Sequence, residues 1–307
     1  MYQSRTSHDV RQRFSAVLAR LAPSHLILPI LAGIALWGVA SEAQAQSPAQ
    51  PVPAVRLYVF DCGSLKSGNP EPLLARGVMI TDMSVACYLV AHPRGTLLWD
   101  AGTIPDELIK PGGTTVVRAT VHKTLSGQLA EIGYKPADIT YLALSHYHYD
   151  HSANANEYAG STWLVQKAER TAMFPDTPPR NPIDPGVVAK FSALKNSKTV
   201  ALDGDHDVFG DGNVVIIATP GHTPGHQSLF VKLAKSDPVV LSGDLYHYPS
   251  ERTLKDFLPF GGRGNDAQEA ASKAKVEALL KDKGAVLWIQ HDIVADAKLK
   301  KSPAYYE

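Results

Sequence analysis

Cysteine is scarce in this sequence: Cys62 and Cys87 are the two in 307 residues, which leaves room for one disulfide and no disulfide framework. Net charge is missing as well. With 30 basic and 30 acidic residues there is no one-signed field to draw in nucleic acid or anionic lipid, so those partner classes are set aside. No G-x-G-x-x-G follows a strand-like run, which argues against a doubly wound dinucleotide-binding sheet. A spanning stretch is lacking too. The apolar run "LILPILAGIALWGVA" (residues 26–40) holds 15 residues and a proline, short of the roughly 20 that a membrane helix needs.

That run has the flanks of a signal peptide. Arg5, Arg11, Arg13 and Arg20 precede it, and Ala43-Gln44-Ala45 supplies a small-residue cleavage site after it. Residues 1–45 are therefore expected to be a signal peptide and the mature protein to be periplasmic or secreted, without stable membrane insertion; a retained N-terminal anchor is the alternative. No cysteine lies near the cleavage site, which speaks against a lipoprotein. No twin arginine is present, so export is expected to precede folding and any uptake of metal. The mature chain would carry 26 basic and 28 acidic residues. An oxidising compartment permits a Cys62–Cys87 disulfide. Cys87 lies in the apolar run "SVACYLV", so a buried free thiol is an equal alternative.

Residues 46–54 ("QSPAQPVPA") form a Pro-rich leader, and residues 55–307 read as one domain. "VRLYVF" (55–60), "SVACYLVA" (84–91), "GTLLWDAG" (95–102), "ITYLALS" (139–145) and "TWLVQ" (162–166) read as strands. So do "DPVVLSGDLYH" (237–247) and, as a buried strand, "AVLWIQHD" (285–292). Helices are expected over 120–132, where Val121, Leu125, Leu129 and Ile132 recur at helical spacing, and over 167–174 and 267–280. "DTPPRNPIDPG" (176–186) is too rich in proline to be regular and reads as a surface loop or lid. "TLLWDAG" and "VVLSGD", one in each half, are apolar strands ending in an Asp and Gly, a weak internal repeat. Two β-rich halves covered by helices imply an α/β sandwich.

The densest chemistry is "SHYHYDHSAN" (145–154), in a chain whose twelve histidines are its one unusual count. Leaving a strand, residues i and i+2 point to the same side, so His146 and His148 can grip one ion. Asp150 and His151 follow after the chain has turned and can reach a second. An isolated H-x-H is usually a solvated turn; few structural roles need an Asp-His appended to it. Three further ligand-type residues stand just after apolar strands: His222 in "ATPGHTPGH", Asp244 in "VVLSGD" and His291 in "VLWIQH". That shared context is where a site at one rim of a sheet would be built. Imidazole and carboxylate suit zinc and other divalent first-row metals.

H-x-H-x-D-H followed by "GHTPGH", a strand-terminal aspartate and a late histidine resembles the metallo-β-lactamase superfamily over essentially residues 55–307. The resemblance implies the α/β fold known as the αβ/βα four-layer sandwich, with a dinuclear site at one edge. It puts His146, His148 and His222 on the first ion, Asp150, His151 and His291 on the second, and Asp244 between them. Two divalent ions are implied, zinc foremost, with manganese, iron or cobalt accepted by the same donors. Within the superfamily the sequence is most similar to the N-acyl homoserine lactonases. "ACYLVAHPRGTLLWDAG" resembles their early hairpin and Asp-x-Gly loop, "TPGHTPGHQSLF" their Gly-His-Gln-Ser continuation, and "IQHD" with "SPAYYE" their ending. The glutamate and flavodoxin domain of flavodiiron proteins are missing, as is the Cys or Ser that true metallo-β-lactamases usually carry near Asp244. Thioesterases of the glyoxalase II type share all seven ligands.

The implied activity is opening of an acyl homoserine lactone ring by a hydroxide generated between two ions, as in quorum quenching. The partner is then a small-molecule lactone or ester, and the enzyme a monomer or homodimer. Asp150 or a water would protonate the leaving alkoxide. Where the lactonases carry a tyrosine three residues after the bridging aspartate, this chain has His247, so His247 or its neighbour Tyr246 is expected to meet the substrate carbonyl. The alternatives are another ester, thioester, β-lactam or phosphotriester hydrolase, or a metal- or signal-binding protein without turnover. Asp100 and His226 are expected to orient ligands, and His92, His122 and His206 to lie on the surface. Met173, Phe174, Phe257, Leu258 and Phe260 are candidates for an acyl-chain wall or for core, and Tyr147 and Tyr149 for packing.

Overall fold

The structure is a computed structural model and describes residues 52–254 and 265–307. The expected signal peptide, most of the Pro-rich leader, and the acyl-wall candidates Phe257, Leu258 and Phe260 lie outside the described residues. No helix among the described residues is long and apolar enough to cross a membrane.

The first half supplies strands β1 (Arg56–Leu65), β2 (Met83–His92), β3 (Gly95–Trp99), β4 (Thr114–Val116), β5 (Ala119–Val121), β6 (Tyr141–Ala143), β7 (Thr162–Gln166) and β8 (Thr199–Leu202). The second supplies β9 (His206–Asp207), β10 (Val214–Ala218), β11 (Gln227–Val231), β12 (Val239–Leu241), β13 (Val286–Trp288) and β14 (Tyr305–Tyr306). The helices are α1 (Glu71–Leu74), α2 (Leu125–Glu131), α3 (Tyr149–Ser152), α4 (Lys167–Met173), α5 (Pro185–Phe191), α6 (Asp266–Lys283) and α7 (Ile293–Asp296). One sheet runs β4-β5-β1-β2-β3-β6-β7-β8, with β14 added beside β1; the other runs β13-β12-β11-β10-β9.

Burial explains why the strands read as continuous apolar runs. Leu57 and Val59 of β1 face the second sheet and pack with Val90, Trp99, Val214, Ile216, Leu229 and Leu241. Their alternates Tyr58 and Phe60 face outward and pack with Leu125 and Leu129 of α2 and Phe191 of α5. With both faces covered, alternation of polar and apolar residues disappears. On the far side, Ile217, Phe230 and Val240 meet Val276 and Leu280 of α6. Helix, sheet, sheet, helix is the four-layer order expected. Each fully buried Val or Leu contributes about 1.5–3 kcal/mol relative to exposure.

Three local expectations change, and one open alternative, that of the cysteines, is settled. Residues 119–121 are strand, because Thr120 and Ala119 pair with Ser64 and Leu65 of β1. The helix begins only at Leu125, where Thr124 Oγ1 accepts Gly127 N–H and the Asp106 carboxylate accepts the amides of Leu125 and Ser126. The buried strand expected at 285–292 is an edge strand, β13, with Val286 exposed. Cys62 and Cys87 are disulfide-bonded across β1 and β2, so neither is a free thiol. His92 is buried, stacked on Phe209 with its Nε2 2.8 Å from Asp211, so it is a core histidine and not a surface one.

Candidate metal centre

β10 and β12 run the same way because β11 lies antiparallel between them, and β13 is parallel to β12. Their carboxyl ends therefore share one rim. From them the chain enters the turns that carry His222, Asp244 and His291. In the other sheet β3 and β6 are parallel and end in Asp100 and in Ser145-His146. The rims meet directly: Gln227 N–H donates to Ser145 O at 2.9 Å, and Gln290 Nε2 donates to Ala86 O at 2.7 Å.

Two clusters of donor atoms result. In the first, His222 Nε2 stands 3.2 Å from His146 Nε2, 3.0 Å from His148 Nδ1 and 3.3 Å from Asp244 Oδ2. In the second, the Nε2 atoms of His151 and His291 stand 3.1 and 3.0 Å from Asp244 Oδ1. The same two nitrogens lie 3.7 and 3.5 Å from Asp150 Oδ2. All seven predicted ligands are thus brought together, and Asp244 offers one oxygen to each cluster.

The donor set fits a pair of cations. Burial holds His146 and His222 well below the usual histidine range and lowers His148, which favours the neutral imidazole that ligates a cation. Their ring nitrogens converge at 3.0–3.2 Å, close enough to share one ion. His151 Nε2 and Asp244 Oδ1 are enclosed and make no hydrogen bond, although they are 3.1 Å apart. A metal ion satisfies such orphaned atoms.

Behind the donors, other groups fix ring orientation. Asp100 sits at φ 60°, a left-handed conformation costing roughly 1–2 kcal/mol for a residue with a Cβ. There its Oδ1 accepts Ser145 N–H at 2.6 Å and its Oδ2 lies 3.0 Å from His151 Nδ1, which leaves Nε2 for the centre. His291 Nδ1 donates to Ser84 O at 2.7 Å. His226 Nδ1 faces Thr219 O at 3.1 Å while its Nε2 accepts Asp244 N–H at 3.0 Å. Burial lowers the His226 pKa to about 3, which keeps that acceptor available. His226 and Asp100 thus stand behind ligands, as their motif context suggested.

Glycines make the close approaches possible. A Cβ on Gly221 would come within 2.4 Å of the Glu269 backbone in α6, and one on Gly225 within 2.3 Å of the Glu169 backbone in α4. The glycines of "GHTPGH" thus let two helix starts press on the loop that holds His222.

His247 is buried, with Nε2 3.3 Å from Asp244 Oδ2 and its ring stacked on His291. Glu251 Oε2 accepts the amides of His247 and Tyr248 and lies 3.6 Å from His247 Nδ1. Tyr246 is not brought to the centre. It packs with Val276 and Leu280, and its hydroxyl donates to Glu277; the backbone is extended at Tyr246 after a 3-10 turn over Gly243–Leu245, so Tyr246 and His247 point to opposite sides. Met173 and Phe174 pack beside Trp163 and Phe191 in the core. Tyr149, expected to be packing, is instead partly exposed at a cavity of about 670 Å³ beside α3, lined also by Ile104, Leu108, Val116, Arg118 and Lys190. Tyr147 is half-buried, its ring edge against His148. His122 is exposed and His206 half-buried, apart from the clusters.

Sequence reading missed Glu169, Glu251 and this cavity. Glu169 lies in α4 with no sequence motif around it, and its signal is visible only in space: a carboxylate buried against backbone amides. Burial pushes its pKa up to about 7, against the pull of Thr223, Gly225 and Tyr147.

A four-layer sandwich with a seven-ligand, carboxylate-bridged rim defines a class, and the chain belongs to the metallo-β-lactamase superfamily, which residues 80–291 match. Among curated relatives it is similar to N-acyl homoserine lactonase AttM of Azorhizobium caulinodans, 30% identical over 274 residues that cover 82% of this chain and 99% of the relative. A solved quorum-quenching N-acyl homoserine lactone lactonase matches with TM-score 0.67 and 22% identity over 83% of this chain and all of that one. AidC, described as a dizinc quorum-quenching lactonase in complex with a product, matches with TM-score 0.58 and 18% identity over 85% of this chain and 97% of its own.

Proposed function

We propose that this chain is a metal-dependent hydrolase that opens the lactone ring of N-acyl homoserine lactones and so removes a quorum signal. The observation that carries this reading is Asp244, whose two oxygens face two separate ligand clusters while His247 closes on the same carboxylate. A relative with that activity in its name spans the same domain. The two clusters would hold two divalent ions, zinc being suited to a nitrogen-rich donor set, and such ions would supply Lewis-acid polarisation of a carbonyl and hydroxide near neutral pH.

The chain's own residues do the rest. His146, His148 and His222 on one side and Asp150, His151 and His291 on the other fix the reacting edge, and Asp100 and His226 hold the inner ligands in place. His247 presents Nε2 toward the same space and is placed to hydrogen-bond the lactone carbonyl oxygen as negative charge grows on it. As the ring C–O bond breaks, the leaving alkoxide takes a proton from water, or from Asp150 once that carboxylate has received the proton of the attacking hydroxide. The cavity beside Tyr149 receives the acyl chain, its apolar wall supplied by Ile104, Leu108 and Val116. The signal-peptide pattern of residues 1–45 and the Cys62–Cys87 bridge support action outside the cytoplasm.

The test is a zinc-loaded mature chain offered acyl homoserine lactones of several chain lengths, with thioester, β-lactam and phosphotriester controls compared by kcat/KM. Ring opening with the highest kcat/KM on a lactone is expected. Intact lactones beside turnover of a thioester would reject this reading in favour of a glyoxalase II-like enzyme.

A further inference from the structure

Glu169 is 2% exposed, yet no cation approaches it among its hydrogen-bond partners. Its Oε1 accepts Tyr147 N–H at 2.9 Å, the amide between His146 and His148. Its Oε2 accepts Gly225 N–H at 2.8 Å, three residues past His222. The Thr223 hydroxyl lies 3.0 and 2.8 Å from the two oxygens. One carboxylate thus ties together the two loops that carry the three histidines of the first cluster. The loops come from different sheets, β6 in one and β10 in the other. Among the described residues no single carboxylate ties the second cluster together in this way; its rings are oriented by Asp100 and Ser84.

We propose that Glu169 is a positioning residue that sets the spacing of His146, His148 and His222, and through it the affinity of the first metal position without that of the second. The carboxylate acts through backbone amides and touches neither ion nor substrate. An acceptor with two oxygens suits this place, since each oxygen faces a different loop. Glutamine would put an amide NH₂ against one of the two backbone N–H groups and push that loop away. Removing an outer partner of a metal ligand typically weakens binding about 10- to 100-fold.

This inference rests on the two-ion reading of the site but not on the lactone. The experiment is chelator competition for zinc on the wild type, Glu169→Gln and Thr223→Val. Imidazole ¹⁵N spectra would show which histidines lose their ion. For Glu169→Gln, one zinc is expected to weaken about 10- to 100-fold, the affected rings being His146, His148 and His222, while His151 and His291 stay bound. Thr223→Val keeps both backbone contacts and should shift the same zinc by less; it carries the test if Glu169→Gln does not fold. Parallel weakening of both ions would mark a general structural role and overturn the proposal, as would no change in either. A wild type binding fewer than two zinc ions would remove its premise. A wild type that binds two ions but opens no lactone would defeat the proposed activity and leave this assignment standing.

Discussion

Asp244 divides its two oxygens between two sets of imidazoles, and its amide is held by His226. Asp244→Ala is therefore expected to lower the content of both metals together, as elemental analysis after native purification would show; loss of one ion alone would contradict the shared role. His247 faces the same carboxylate with its ring stacked on His291, and its proposed role is to donate to the lactone carbonyl. His247→Phe should lower kcat about 100-fold, the usual cost of one donor to a developing oxyanion, with little change in metal content. His247→Tyr should recover most of that rate if the ring serves as a hydrogen-bond donor. Glu169 gives a prediction in pH. Its pKa rises from 4.5 unfolded to about 7 folded, so the native state holds the proton more tightly. The corresponding stability is present below pH 4.5 and is lost as pH rises through 7. In urea unfolding of the metal-free chain, the wild type should therefore lose stability relative to Glu169→Gln between pH 5 and pH 8; a gap that widens in favour of the wild type would contradict the raised pKa of Glu169.

Among the elements, β1 and β2 are joined by the Cys62–Cys87 bridge, 25 residues apart. Closing a loop of that size is worth about 3 kcal/mol in the chain-entropy account. Cys62 also packs under Gly102, whose loop receives the backbone of His151 and Ala153. Reduction, or Cys62→Ala with Cys87→Ala, should lower thermal stability. An unchanged melting temperature would show that the sheet needs no bridge. The "GHTPGH" loop is equally dependent on its neighbours. A methyl on Gly225 would meet the α4 backbone, so Gly225→Ala should cost about 1–3 kcal/mol and displace His222. The motif itself was legible because strand ends, histidines and glycines fall in one short stretch. Thr120 was misread because Val121 and Leu125 fit a helical spacing, while the pairing that makes residues 119–121 a strand lies about 55 residues away in β1. Glu251 and Glu169 were invisible for a related reason: each matters through amides distant in space or hidden within one turn, and a lone glutamate in a sequence looks solvated.

At the scale of the whole molecule, the alternating runs and the two Asp–Gly strand ends were enough to suggest two sheets back to back. What they left out was which rim would gather the ligands, because that depends on β10, β12 and β13 running in one direction. The ligands come from both sheets, so metal should bind the native state alone. An ion held a thousandfold above its Kd adds about 4 kcal/mol, and two such ions should raise the melting temperature by upward of about 10 °C. Calorimetry with and without chelator checks this, and zinc restored after chelation should return the transition.

The hydrogen bond from Gln227 N–H to Ser145 O crosses from one sheet to the other, one residue after His226 and one before His146. Whenever the sheets part at this rim, that amide is released and the ligand set comes apart with it. Its deuterium uptake is thus a clock for rupture of the centre, slow with zinc bound and fast after chelation, and readable with no substrate present.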